Sequence, residues 1–164
     1  MVLQHMTIDT LFNPARQSDL LLFRLYRIHA TAGAKVVRTC EQEAGLTRRQ
    51  WRVLGFAVQH EGLLSSELAA CSLLDRARTS RALKELESKG LVVRRPRSSN
   101  QREIQIFVTD EGRATHHHLF AHAAQINQQL LQDLSETERV LLDSMLARLQ
   151  SQADALEHLT AHDN

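Results

Sequence analysis

The hydrophobic period of this chain changes once in the middle, and that change constrains the fold more than any other feature. Up to Gly90 the apolar residues recur every three or four positions, the spacing of helices that bury one face. From Leu91 they alternate. Leu91-Val92-Val93-Arg94-Arg95 reads as a strand, and Ile104, Ile106 and Val108 as its return. Pro96 to Gln101 forms a polar turn between them, with Ser98, Ser99 and Asn100 at the tip. After Val108 the helical spacing resumes. The pattern predicts a mainly α-helical chain carrying one small β-hairpin with a basic tip. Composition agrees, because Pro14 and Pro96 are the only prolines and glycine is scarce.

The helical segments have chemical start and stop signals. Leu21, Leu25, Ile28, Ala32 and Val36 predict a first helix from Ser18 to about Arg38, with Asp19 at its positive end. Gly45 breaks it. Thr47 and Gln50 form a capping box for a second helix, with Leu46 and Trp51 placed as a hydrophobic staple. Its apolar face is Trp51, Leu54, Ala57 and Val58, and Gly62 ends it. A short helix runs from Ser65 to Cys71. Asp75 caps the next, which extends to about Ser88 with Thr79, Ala82, Leu83 and Leu86 inside, and Gly90 stops it. Thr109 caps a long helix reaching about Asp133, with Leu119, Ala123, Ile126 and Leu130 as its stripe. Ser135 and Glu138 form a second capping box. The last helix carries Leu142, Met145, Leu149, Ala153 and Leu156.

A length of 164 residues suits one domain with one good core. With 43% hydrophobic and 24% charged residues, a wholly disordered chain is not expected. No apolar run approaches the roughly 18–20 residues of a membrane span. Met1 to Pro14 lacks the basic start and apolar stretch of a signal peptide, so a cytoplasmic protein without a membrane partner is expected. Two cysteines, Cys40 and Cys71, are too few for a disulfide framework. Aromatic residues make up 4%, which argues against a base-stacking platform for single strands.

The net charge of +1 conceals an asymmetry. Arg76 to Arg102 holds nine basic residues against Glu85 and Glu87, a local +7, while Asp110 to the end carries −6. Such a block suggests a polyanion surface confined to one part of the fold; the competing reading is a solvated charged face. Local structure favours the first. A short helix followed by a capped basic helix is a helix-turn-helix, and the hairpin behind it makes it winged. A helix about 10–12 Å wide fits the roughly 12 Å major groove, N-terminal end first. Arg76, Arg78, Thr79, Ser80 and Arg81 are the expected major-groove set, with Lys84 on phosphate. Arg95, Arg97 and Arg102 are expected to meet DNA from the wing. The chain thus divides into an N-terminal arm and first helix (1–44), a DNA-binding lobe (45–109) and two long C-terminal helices (110–164). The outer pieces suit dimerisation, and a two-fold dimer matches a pseudo-palindromic duplex.

The residues that place these elements also carry a family resemblance. Gly45-Leu46-Thr47, then Leu83, Leu86 and Gly90-Leu91-Val92, then Gln101-Arg102, and last Thr109-Asp110-Glu111-Gly112 follow in an order that resembles the MarR family of bacterial transcriptional regulators. Asn100 stands where that family usually carries an acid beside the wing arginine. The resemblance implies a homodimer with interlocked terminal helices and two lobes on a pseudo-palindrome, repressing a neighbouring operon. It further implies release by a small anionic aromatic compound bound between the first, second and fifth helices. On this sequence that cleft points to Arg16, Arg24, Tyr26, His29 and Trp51, and to the region of His116–His118. Rings would stack on the ligand and arginine would bind its carboxylate.

Other readings compete. Some relatives of this kind respond to zinc or to cysteine oxidation. His118 and His122 stand one helical turn apart, and Cys40, Glu41 or Glu43 could complete a zinc site; with no dense Cys/His motif, no metal ligand is assigned. Cys71 follows Leu68-Ala69-Ala70 and is expected to be buried and structural, while Glu41 beside Cys40 opposes a reactive thiolate. No phosphate loop, nucleophile elbow or His-Glu-x-x-His motif points to an enzyme. A protein-interaction module would leave the basic block without a purpose, and its binding would lack the steep salt dependence of counterion release. No cofactor is expected beyond the aromatic acid effector.

Overall fold

The computed structural model describes residues 9–161; the first eight residues of the N-terminal arm and the last three of the chain lie outside it. Six helices and one antiparallel hairpin make up the described chain. The order is α1 (Leu21–Ala44), α2 (Arg48–Gln59), α3 (Ser65–Cys71), α4 (Arg76–Ser88), β1 (Val92–Arg97), β2 (Asn100–Val108), α5 (Asp110–Leu131) and α6 (Glu136–Ala161). Two compact units part after Ile126. Among the described residues no helix is long and apolar enough to cross a membrane.

Side-chain chemistry sets most boundaries. The Thr47 hydroxyl accepts from the Gln50 N–H, and the Gln50 amide oxygen accepts from the Thr47 N–H at 2.8 Å. Leu46 is fully buried in its staple position. Asp75 Oδ1 accepts from the Arg78 N–H at 2.7 Å. Glu138 and Ser135 close the second box at the start of α6. Gly90, in the left-handed region at φ +74°, ends α4 and lets the Leu91 N–H return to the Leu86 carbonyl.

Several boundaries differ from the sequence expectation. Asp19 does not lead α1. It closes a single 3₁₀ turn, Gln17–Asp19, and accepts from the N–H groups of Ala15 and Arg16. The helix then runs past Arg38 to Ala44. The hairpin is longer than expected, because Pro96 lies within β1 and only Ser98 and Ser99 turn the chain. β1 is an edge strand, so a residue without an N–H is tolerated there; the ladder shifts register between Pro96 and Arg97.

The core of the larger unit gathers Leu46, Val53, Leu54, Leu68, Leu83, Leu86, Ile106 and Leu119, all at most 1% exposed. On α4 the buried residues are Thr79, Ala82, Leu83 and Leu86, as the spacing predicts. Leu63 and Leu64 extend the hairpin, pairing beside β2 through the Ile106 N–H to the Leu63 carbonyl. Thr109 joins three elements. Its hydroxyl donates to the Gly90 carbonyl at 2.7 Å and accepts from the Gly112 N–H at 2.9 Å, while its own N–H donates to the Leu91 carbonyl. On α6 only Leu142 of the expected stripe is even partly buried; Met145 and Leu149 are exposed.

Candidate nucleic-acid interface

The turn between α3 and α4 aims the basic helix. Leu68 and Ala69 anchor α3 in the core, and the Ser72 hydroxyl donates to the Ala69 carbonyl. Leu73 follows in the left-handed region at φ 52°, which is uncommon for a branched side chain, and is 86% exposed. The geometry of the turn, not a buried contact, holds it there. The Leu74 N–H returns to the Ala69 carbonyl, and Asp75 starts α4.

Arg76, Arg78, Arg81 and Lys84 are all exposed on α4, and Ser80 is half-buried. Thr79, assigned above to both faces, lies on the inner one. It is fully buried and its hydroxyl donates to the Asp75 carbonyl, so it does not reach DNA. Arg78 pairs with Asp75 at 3.0 Å. Arg48 and Arg49, in the first turn of α2, line a cleft of about 550 Å³ together with Arg78 and Arg81. Neither arginine lies in the contiguous basic block of residues 76–102, so charge counted along the chain does not find them. The Thr47 capping box was the usable signal, since it places them at a helix start.

On the wing, Arg97 donates to Glu103 at 2.8 Å, and that pairing holds the Glu103 carboxyl below its usual range. The Arg95 guanidinium lies 5.3 Å from the centre of the Phe107 ring. Arg102 is exposed, and its guanidinium enters no ion pair among the described residues. Asn100 accepts from the Arg102 N–H, so it fixes the backbone beneath that arginine. At the base of the wing, Glu61 accepts from the Val108 N–H and from Arg113, whose hydrogen bond lowers its pKa.

The expected effector residues are not brought together. Arg16 and Arg24 both face the buried Asp19 carboxylate, at 3.7 and 3.8 Å. Tyr26 is exposed, and His29 Nε2 meets the Arg48 guanidinium at 3.4 Å. Trp51 alone of the five lines a cleft of about 260 Å³ with Arg52, Gly55, Phe56, Gln59, His116 and Phe120. The Trp51 and His116 rings stack at 5.1 Å and 18°, and His116 stacks on Phe120 at 5.8 Å. Burial lowers the His116 pKa, with His117 adding to the effect, so the neutral ring is favoured. Arg52 also reaches the Ser72 carbonyl at 3.4 Å, linking this cleft to the turn before α4.

Of the two cysteines, Cys71 departs from its expected position. Cys40 is 1% exposed, and burial, reinforced by Glu41 and Glu43, pushes its thiol up to about 11. Cys71 is exposed, because Leu68 and Ala69 take the inner side of so short a helix. The structure also brings Glu43 against His118 and His122, both on α5.

A capped basic helix on a buried base, a preceding short helix and an arginine-bearing hairpin define a winged helix-turn-helix DNA-binding protein. Known proteins narrow the class. Residues 44–103 match the MarR family. The chain is 27% identical to the HTH-type transcriptional regulator YdgJ of Bacillus subtilis over 84% of its length and 81% of that protein. It is 28% identical to the HTH-type transcriptional regulator FarR of Neisseria gonorrhoeae, covering 70% of this chain and 78% of FarR. The solved structure of CouR from Rhodococcus jostii RHA1, bound to p-coumaroyl-CoA, is similar with a TM-score of 0.73 at 28% identity, over 85% of this chain and 95% of that one. Residues 44–103 thus carry a MarR-family match, and along most of its length the chain is similar to DNA-binding transcriptional regulators.

Proposed function

We propose that this regulator is a cytoplasmic homodimer that binds a pseudo-palindromic duplex and represses a nearby operon until a small aromatic carboxylic acid releases it. The observation that carries the DNA half is the exposed basic edge of α4 with Arg48 and Arg49 beside it. Arg76, Arg78, Ser80 and Arg81 read the major groove. Lys84, Arg48 and Arg49 meet phosphate, and Arg95, Arg97 and Arg102 grip the flanking backbone or minor groove. Residues 45–109 form the DNA lobe, and residues 1–44 and 110–164 serve dimerisation. In support, Leu22 and Ile28 on α1, and Val140, Leu141 and Met145 on α6, are exposed apolar side chains that a second copy would cover.

The effector reading rests on the stacked Trp51, His116 and Phe120 rings with Arg52 at their edge. An aromatic ring suits the stack and a carboxylate suits Arg52. A carboxylate that takes Arg52 also takes the donor from the Ser72 carbonyl, which loosens the turn before α4. CouR, whose solved structure is similar to this chain, is bound to p-coumaroyl-CoA, whose aromatic ring is of the kind the stack suits.

Fluorescence anisotropy of the full chain tests both halves, with the duplex upstream of its own gene against a scrambled duplex over a salt series. Tight binding of the upstream duplex that weakens steeply with salt, and release by an aromatic acid but not by its uncharged amide, is expected. Equal weak binding to both duplexes overturns the DNA half. Retention of DNA at saturating acid overturns the effector half.

A further inference from the structure

The geometry points to a divalent metal site of the zinc class formed by Glu43, His118 and His122. His118 Nε2 lies 2.6 Å and His122 Nε2 3.3 Å from the same Glu43 oxygen, and the three donor atoms lie within 4.8 Å of one another. A tetrahedral zinc with bonds of about 2.0–2.1 Å spaces its donors roughly 3.3–3.4 Å apart. The His122–Glu43 separation already matches, and the His118–Glu43 hydrogen bond has only to open by less than an ångström. Two imidazoles and one carboxylate are a donor set that zinc takes with a fourth position left open.

The donors stand on anchored backbone, unlike a chance cluster of surface acids. Glu43 occupies the last turn of α1. Cys40 fixes that turn in the core, and the Leu46 N–H closes it by donating to the Cys40 carbonyl. Leu119, at 1% exposure, seats α5 between the two histidines. The histidines are one turn apart on a rigid helix, and their rings meet edge to face at 5.1 Å. The site opens on a cleft of about 440 Å³ bordered by Glu43, Lys89, Glu111 and His118. Water or another exchangeable ligand therefore has room for the fourth position. Lys89 is held away by donating to the Gly45 carbonyl at 3.1 Å. Cys40, the remaining candidate donor nearby, is shut in the core and stays out of the site. Bound metal would pin the end of α1 to α5 in place of the one His118–Glu43 hydrogen bond.

The test uses the full chain stripped with a chelator, with Co²⁺ as a spectroscopic probe. One equivalent of Co²⁺ should produce the visible absorption of a tetrahedral site, and Zn²⁺ should bleach it stoichiometrically. Competition with a chromophoric chelator gives the affinity. His118→Ala and Glu43→Gln should each weaken Zn²⁺ by at least the roughly 10–100-fold that losing an outer-shell partner costs. His117→Ala, an exposed neighbour, should change nothing. No tetrahedral cobalt spectrum in the wild type overturns the site. So does wild-type Zn²⁺ affinity in folded His118→Ala and Glu43→Gln, since the metal then binds elsewhere among the nine histidines.

Discussion

Replacing Gly112 with alanine pits helix propensity against packing at the junction of wing and α5. Propensity alone favours the change by up to about 1 kcal/mol. Packing opposes it. A Cβ at Gly112 would lie 2.0 Å from the Leu91 carbonyl oxygen and 2.8 Å from a Val108 methyl carbon. Carbon and carbonyl oxygen rarely approach closer than roughly 3.3 Å, so something must move by more than an ångström. Neither neighbour is a loose side chain: the Leu91 carbonyl already accepts from the Thr109 N–H, and Val108 is buried. Overpacking costs about 1–3 kcal/mol, and disturbing the Thr109 cap costs about 1 kcal/mol more. After the propensity gain, a net loss of about 1–3 kcal/mol remains, a fall in Tm of roughly 2–12 °C. Gly55 is the control. Its nearest neighbour is His116 Nε2 at 3.6 Å, so Gly55→Ala should gain up to about 1 kcal/mol from propensity alone. Thermal unfolding followed by circular dichroism reads both. A Gly112→Ala protein that melts at or above the wild type refutes the close approach on which this reasoning rests.

Arg102→Ala should weaken binding to every duplex alike and lower the slope of log affinity against log salt by about 0.9 if one phosphate contact is lost. Unchanged affinity would remove the wing tip from the interface. A thiol reagent should label Cys71 in the native protein and leave Cys40 unmodified until unfolding, as mass mapping of the labelled peptides would show; equal labelling would contradict the burial of Cys40. His116 adds a pH dependence. Its folded pKa lies below the ordinary value, so the unfolded chain takes up this proton first as pH falls. The contribution is intact above the ordinary histidine pKa of about 6.5 and is lost as pH falls below it. Urea midpoints at pH 7.5 and 5.5 should therefore drop less in His116→Gln than in the wild type.

Local chemistry is what the sequence made legible. Thr47, Asp75, Gly90, Thr109 and Ser135 each act within a few residues of themselves, and the helix boundaries they imply are those observed. The inner face of α4 was readable for the same reason. Pro96 misled because proline is a turn signal in a central strand but not on an edge. Cys71 misled because α3 is too short for its apolar run to define one face. The candidate sites needed long-range information. Glu43 meets His118 and Trp51 meets His116 only through packing that no spacing encodes. Arg16 and Arg24 were plausible carboxylate binders, but Asp19 of this chain already faces both.

The Thr109 corner makes the wing a pointer. The end of α4, the start of β1 and the first turn of α5 meet in the hydrogen bonds of one threonine, so they turn as one body. At about 3.3 Å per residue, the six residues of β1 carry the tip roughly 20 Å from that pivot. A 10° tilt of the first turn of α5 would sweep the tip through about 3.5 Å. A small rotation at the pivot is thus geared into a displacement at the wing tip longer than a hydrogen bond.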